Sequence, residues 1–228
     1  MGLDASALTT DGPIPLDTSC GDQLVGAALC EPFEDPALVG MYRRETHGEI
    51  SVGDQQVYRG GGALRATTVP GEVPSEAQVG ATVFDGVGAG VVQARAYVYV
   101  PSSVAVTEVS ILGLSEKDAP YHGASVALTA DGAVRLDVTA AASNTTSAYE
   151  LPRDRWVCLV LEVAVGASGS AAVHVDGATR VFAQDIDTLP AGGYESVTAG
   201  ILWAPEGQGP AEIFVDELVA DTGPVPCD

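Results

Sequence analysis

The sequence predicts an all-β protein, a two-sheet antiparallel β-sandwich of jelly-roll type. Short segments that alternate apolar and polar residues recur along most of the 228-residue chain, Gly, Pro, Asp and Ser separate them, and almost nothing repeats at helical spacing. The clearest segment is Gln93-Ala94-Arg95-Ala96-Tyr97-Val98-Tyr99-Val100, where alternation puts Ala and Val on one side and Gln93, Arg95, Tyr97 and Tyr99 on the other. Such a strand belongs in a sandwich, with one side on the core and the other free to solvent or ligand.

Residues 1–28 are small and polar, with Pro13 and Pro15 close together and no apolar period, so they read as a linker or tail. Residues 29–228 then form a single sandwich domain, a length that one β core accommodates. Strands are predicted at 63–67, 91–100, 106–112, 124–130, 133–139, 156–165, 171–175, 179–183, 197–203 and 212–220. Asp131-Gly132 and Asp176-Gly177 join neighbouring strands as tight hairpins, because Asp-Gly tolerates the positive φ angles of primed turns. Residues 140–147 are rich in Ser and Thr and read as an exposed loop, inside which Asn144-Thr145-Thr146 is a formal glycosylation sequon. In the strand at 156–165, Val157, Leu159, Leu161, Val163 and Val165 share the core side. Both sides of the last strand are partly apolar, so Asp216 is expected to be partly buried and to need a hydrogen-bond donor or a metal.

Lys and Arg total 10 against 31 Asp and Glu, a formal net charge of -21 that repels nucleic acid and anionic lipid. No run of about 18 apolar residues appears, so no membrane insertion is expected. Cys20, Cys30, Cys158 and Cys227 lack the CxxC spacing of zinc and redox sites and suit two disulfides, with three pairings open. Disulfides imply a secreted or cell-surface protein. The start, Met1-Gly2-Leu3-Asp4-Ala5-Ser6, is polar without a basic residue, so export would imply that a signal peptide has been removed.

Several segments occur in a familiar order: Cys30-Glu31-Pro32-Phe33-Glu34-Asp35, Tyr58-Arg59-Gly60-Gly61-Gly62-Ala63-Leu64-Arg65-Ala66, Arg95-Ala96-Tyr97-Val98-Tyr99, Trp156-Val157-Cys158-Leu159-Val160-Leu161-Glu162, His174-Val175-Asp176-Gly177 and Phe214-Val215-Asp216-Glu217-Leu218. In this order they resemble the concanavalin A-like, laminin G-like jelly-roll superfamily, including bacterial extracellular lectin-like and glucanase-like domains. The resemblance implies an exported protein that binds or cleaves polysaccharide. Phe33-Glu34-Asp35 and Phe214-Val215-Asp216-Glu217 also resemble the calcium site of jelly-roll carbohydrate-binding modules, which implies one structural calcium held by Glu34, Gly61 and Asp216. Hard cations favour such carboxylate and carbonyl oxygens.

Retaining hydrolases on this fold need paired carboxylates on one strand face, and no strand carries the Glu, Asp and Glu pattern. A lyase acting on an acidic glycan needs Arg, Gln or Asn to neutralise a carboxylate and Tyr or His to move a proton. Gln93, Arg95, Tyr97 and Tyr99, with His174, Tyr121 and His122 approaching, would supply those groups, but the Arg-rich and Gln-x-His motifs of alginate lyase-like families are absent. Gly60-Gly61-Gly62 leads into a strand rather than a helix and is no phosphate loop. The expectation is therefore a non-catalytic module that binds polysaccharide on Gln93, Arg95, Tyr97 and Tyr99, with Arg135 as an addition. The alternatives are the lyase and a structural or adhesion domain that binds protein.

Overall fold

A computed structural model of the chain describes residues 27–69, 74–104, 108–117 and 119–227. The expected linker through residue 26, and Cys20 within it, lie outside the described residues. The rest forms fifteen strands in two antiparallel sheets, so the jelly-roll sandwich is the fold.

The first sheet holds β1 (Leu29–Glu31), β3 (Gly48–Gly53), β4 (Ala63–Thr68), β6 (Gly90–Tyr99), β11 (Trp156–Val165), β12 (Gly169–Val175), β13 (Ala178–Ile186) and β15 (Ala211–Asp221). Their order is β13-β12-β11-β6-β15-β4-β3, and β1 joins β15 beyond the point where β4 leaves it. The second sheet holds β2 (Tyr42–Thr46), β5 (Ser75–Val87), β7 (Val109–Glu116), β8 (Ala119–Leu128), β9 (Ala133–Val138), β10 (Ser143–Glu150) and β14 (Tyr194–Ala204), in the order β10-β9-β8-β7-β14-β5-β2.

Alternation decides what fills the space between the sheets. Val157, Leu159, Leu161 and Val163 of β11 pair with Val98, Ala96, Ala94 and Val92 of β6, and all eight point inward. Val126 and Leu136, and Leu112 and Ala199, do the same from the second sheet. Burying each larger aliphatic side chain contributes about 1.5–3 kcal/mol, and this one continuous core is the main stabilising term.

Three local expectations are corrected. Residues 140–147 are not a loop: most of them belong to β10, an edge strand whose alternate residues are exposed, and Thr145, Thr146 and Tyr149 supply its β-propensity. The segment expected to end at 112 is β7, which continues to Glu116; its outward Gly113 and Ser115 resemble turn residues and hid that end. β5, a thirteen-residue strand, escaped notice because Gly80 and Gly86 interrupt its pattern. Both hairpins form, with different turns. Asp176 and Gly177 both take positive φ (49° and 76°), as a primed turn requires, whereas at Asp131-Gly132 only Gly132 does (82°), its N–H donating to the Thr129 carbonyl.

Cys158 of β11 is bonded to Cys227, with the Cα atoms 6.0 Å apart, and Cys30 is also disulfide-bonded. The Cys158–Cys227 bond spans 69 residues and ties the C-terminal segment onto the outer face of the first sheet. In chain-entropy terms such a cross-link contributes about 4 kcal/mol.

Candidate functional site

The row Gln93, Arg95, Tyr97 and Tyr99 does share the outer face of β6, but it is not an open platform. The Val225 N–H donates to Gln93 Oε1 (2.9 Å), and Arg95 Nη1 donates to the Pro226 carbonyl (2.8 Å). Tyr58 stacks on Tyr97 with ring centroids 3.7 Å apart, and Tyr99 packs edgewise against Phe214. Arg95 is 0% exposed, and its charge meets Glu217, equally buried, at 3.6 Å. A guanidinium removed from water requires both a counter-ion and acceptors, and Glu217 and the C-terminal carbonyl supply them. The polar side of this strand is thus the seat of the C-terminal segment, beside which Gln93 and His174 line a cavity of about 300 Å³. His174 stays on this sheet, its Nδ1 sharing a hydrogen bond with Thr179 Oγ1 (3.0 Å). Tyr121, His122 and Arg135 belong to the other sheet, roughly 10 Å of sandwich away, so they do not join the row.

Glu34, Gly61 and Asp216 meet on one loop. The Gly61 N–H donates to Glu34 Oε1 and Oε2 (2.9 and 3.0 Å), while Asp216 Oδ2 accepts from the N–H groups of Tyr58 and Arg59 (2.9 and 3.1 Å) and Oδ1 from that of Glu217 (2.8 Å). Asp216 is fully buried, and that burial pushes its carboxyl up to about 7, with neighbouring Glu217 adding to the shift and the three amides opposing it. Gly62 lets the Phe33 carbonyl come so near that a Cβ would stand 2.5 Å from it. Glu34 and Asp216 thus bond to different amides of the 58–61 segment, and Gly61 faces Glu34 with its N–H rather than with a carbonyl that calcium would take. Among the described residues, no group of three His, Cys, Asp or Glu side chains is placed to hold a metal.

The open concavity lies on the opposite side of the molecule. One register row crosses the whole second sheet: Tyr42, Gly80, Thr198, Gly113, Ser125, Asp137 and Asn144, from β2 to β10. Chain neighbours of its middle members, such as Val79, Ala199, Leu112 and Val126, are in the core, so the row faces outward. Its middle positions carry no side chain or a short hydroxyl, and larger side chains lie over them: Tyr42 over Gly80, and Leu202 over Gly113, so that Gly80, Thr198 and Gly113 are buried and the open part of the row begins at Ser125. The absence of a Cβ at Gly80 is required, because one would stand 2.4 Å from the Tyr42 ring. Ser196 and Ser115 continue this small-residue floor in the next row.

Large side chains flank the floor. A cavity of about 540 Å³ is lined by Ser110, Ser125, Arg135, Asp137, Leu202 and Trp203, with Tyr121 at its edge. Arg135 donates to Asp137 Oδ2 (2.8 Å) and pairs with Glu108 Oε1 (2.6 Å). Tyr121 of β8 reaches over β7 and β14 to donate to Glu76 Oε2 on β5 (2.6 Å), forming a bridge across the hollow. Glu76 also accepts from Gln78 Nε2 (2.9 Å) and Thr46 Oγ1 (3.0 Å). Burial, then the Glu76 carboxylate, push the Tyr121 phenol up to about 12, with Arg44 pulling the other way. Thr139 also lines a second cavity of about 560 Å³ that carries His122, Glu116 and Asp187. Tyr121 and His122 therefore do edge a cleft, on the second sheet.

Sequence reasoning missed Trp203, Gln78 and Glu76. The outward run Ser196, Thr198 and Gly200, alternating with Val197, Ala199 and Ile201, was the available signal of a hollowed face.

A two-sheet jelly roll with a groove across one outer face defines the fold class, and solved structures share it. No protein-family model matches the sequence, and no curated protein does. The chain is similar to endo-beta-1,4-glucuronan lyase from the fungus Trichoderma reesei (TM-score 0.62, 14% identity, covering 82% of this chain and 92% of that one). It is similar to the cellulose induced protein Cip1 (0.67, 10%, 88% and 100%) and to alginate lyase vAL-1 from Chlorella virus (0.55, 10%, 78% and 90%). At these identities the likeness concerns the fold.

Proposed function

We propose that the chain is an exported jelly-roll module of the concanavalin A-like kind that binds carbohydrate in the groove of the second sheet. The observation that carries this reading is the cavity of about 540 Å³ in which the rings of Trp203 and Tyr121 stand beside Ser110, Ser125, Arg135 and Asp137. Flat aromatic faces stack on pyranose rings, and short hydroxyls leave room for a chain of sugars while exchanging hydrogen bonds with it. Neighbours named as polysaccharide lyases support a glycan as the ligand class. The disulfides support export. One structural calcium at Glu34, Gly61 and Asp216 is part of the same proposal, supported by two carboxylates that each bond to the 58–61 segment.

A glycan array run with and without calcium tests the reading, with Trp203→Ala as the control. Loss of one stacked ring weakens binding roughly 2- to 10-fold. Retention that is indifferent to Trp203 would place the ligand elsewhere, and a protein partner in its stead would favour the adhesion alternative. The lyase alternative has one observation of its own: Arg135, Gln78 and Tyr121 share this face. Against it, Gln78 is fully buried and Arg135 is already held by Glu108 and Asp137, so neither stands ready to neutralise a substrate carboxylate. New ultraviolet absorbance from an unsaturated product on acidic polysaccharides would restore that alternative.

A further inference from the structure

The charges around the groove narrow the class of glycan, provided that the groove is a carbohydrate site. Arg135 is the guanidinium that lines the main cavity, and two carboxylates already hold it, Glu108 at 2.6 Å and Asp137 at 2.8 Å. Arg44 stands across the β2–β5 register from Gln78, beside the Tyr121–Glu76 bridge. Glu76 there takes its three hydrogen bonds from neutral donors, Tyr121, Gln78 and Thr46. The adjoining cavity adds Glu116 and Asp187, against which only His122 can carry a positive charge among the residues that line it. Carboxylates thus outnumber cations on a face of a protein whose net charge is already -21.

A polyuronate carries a carboxylate on each ring and binds where cations await it, in bidentate pairs with Arg. Here the main guanidinium has its pairs made, and the remaining field repels anions. What the cavity still offers is neutral: the hydroxyl of half-buried Ser125, and the ring faces of Trp203 and Tyr121. Sugar hydroxyls both donate and accept, so they suit such a surface.

We propose that the groove takes an uncharged, hydroxyl-rich glycan and rejects polyuronates. The test is affinity electrophoresis of the full chain through gels that contain a soluble β-glucan, a galactomannan, alginate, polygalacturonate or chitosan, at low and high salt. An uncharged polymer should retard the protein equally at both salt levels, and the polyuronates at least about tenfold less, because only their contribution is screened. Stronger, salt-sensitive retention by alginate or polygalacturonate overturns the proposal, as does a preference for cationic chitosan. Retention by none of the five defeats the carbohydrate reading itself, and the selectivity with it. Glu108→Gln together with Asp137→Asn should free Arg135 and raise polyuronate retention at least about fivefold at low salt, with the gain lost at high salt. Glu108→Gln alone, which keeps the Asp137 pair, should gain less, and no gain from either folded variant would overturn the role given to Arg135.

Discussion

Asp216 makes the stability of this protein depend on pH in a direction opposite to that of ordinary surface carboxylates. The residue lies fully buried on β15, and burial pushes its carboxyl up to about 7, well above the ordinary carboxylate range. The folded state therefore binds this proton more tightly than the unfolded state. Its stabilising contribution is complete below about pH 4 and is lost as pH rises through about 7. A difference of about three units corresponds to on the order of 4 kcal/mol across that window, the upper limit for this one group. Asp216→Asn cannot ionise, so it removes the slope. The amide oxygen can still accept from Tyr58 and Arg59, but its NH2 group faces the Glu217 N–H, a loss of about 1–3 kcal/mol at every pH. Urea unfolding at steps from about pH 4 to 8 measures both effects. The wild type should lose stability toward neutral pH more steeply than the variant, so that the two curves converge as pH rises. Parallel curves would falsify the assignment of the slope to Asp216.

Other outcomes follow from the same geometry. Replacing Cys158 and Cys227 together by Ser should lower stability by about 4 kcal/mol in calorimetry and speed hydrogen exchange at Val225, whose N–H is held by Gln93. A bound calcium that ligates Asp216 would keep its carboxylate ionised, so millimolar calcium should raise the melting temperature and flatten the pH slope relative to EDTA; identical melting curves count against the metal. Gly123→Ala would place a Cβ 2.0 Å from the Leu114 carbonyl and should cost about 1–3 kcal/mol by forcing β7 and β8 apart, seen as a lower urea midpoint. In the core, Leu161→Ala should cost about 2–5 kcal/mol by the same assay.

The sandwich was legible because its evidence is local. Strand β11 was read to both of its ends, since Val157 through Val165 alternate without interruption and Arg155 and Gly166 bound them. β5 was not, because a glycine at position 80 looks like a break until Tyr42 is seen lying over it. The covering of the polar side of β6 was hidden for a related reason. Gln93, Arg95, Tyr97 and Tyr99 have the residue types of a ligand platform, and the same donors and rings serve equally to hold a backbone segment. The cavity of the second sheet is legible in no single strand, because Ser125, Arg135 and Trp203 come to it from three strands.

By itself, the sequence determined the fold class, the inward sets of β6 and β11 and the partial burial of Asp216, all of which depend on periodicity within one strand. Only the tertiary structure decided which polar face stays open. That choice depends on the course of residues 224–227, tied at Cys158 more than sixty positions away in sequence, and on the register that aligns Gly80, Thr198, Gly113 and Ser125 across four strands. Such long-range pairings are set by sheet register and by packing between sheets, and a strand's own alternation carries no record of what comes to rest on it.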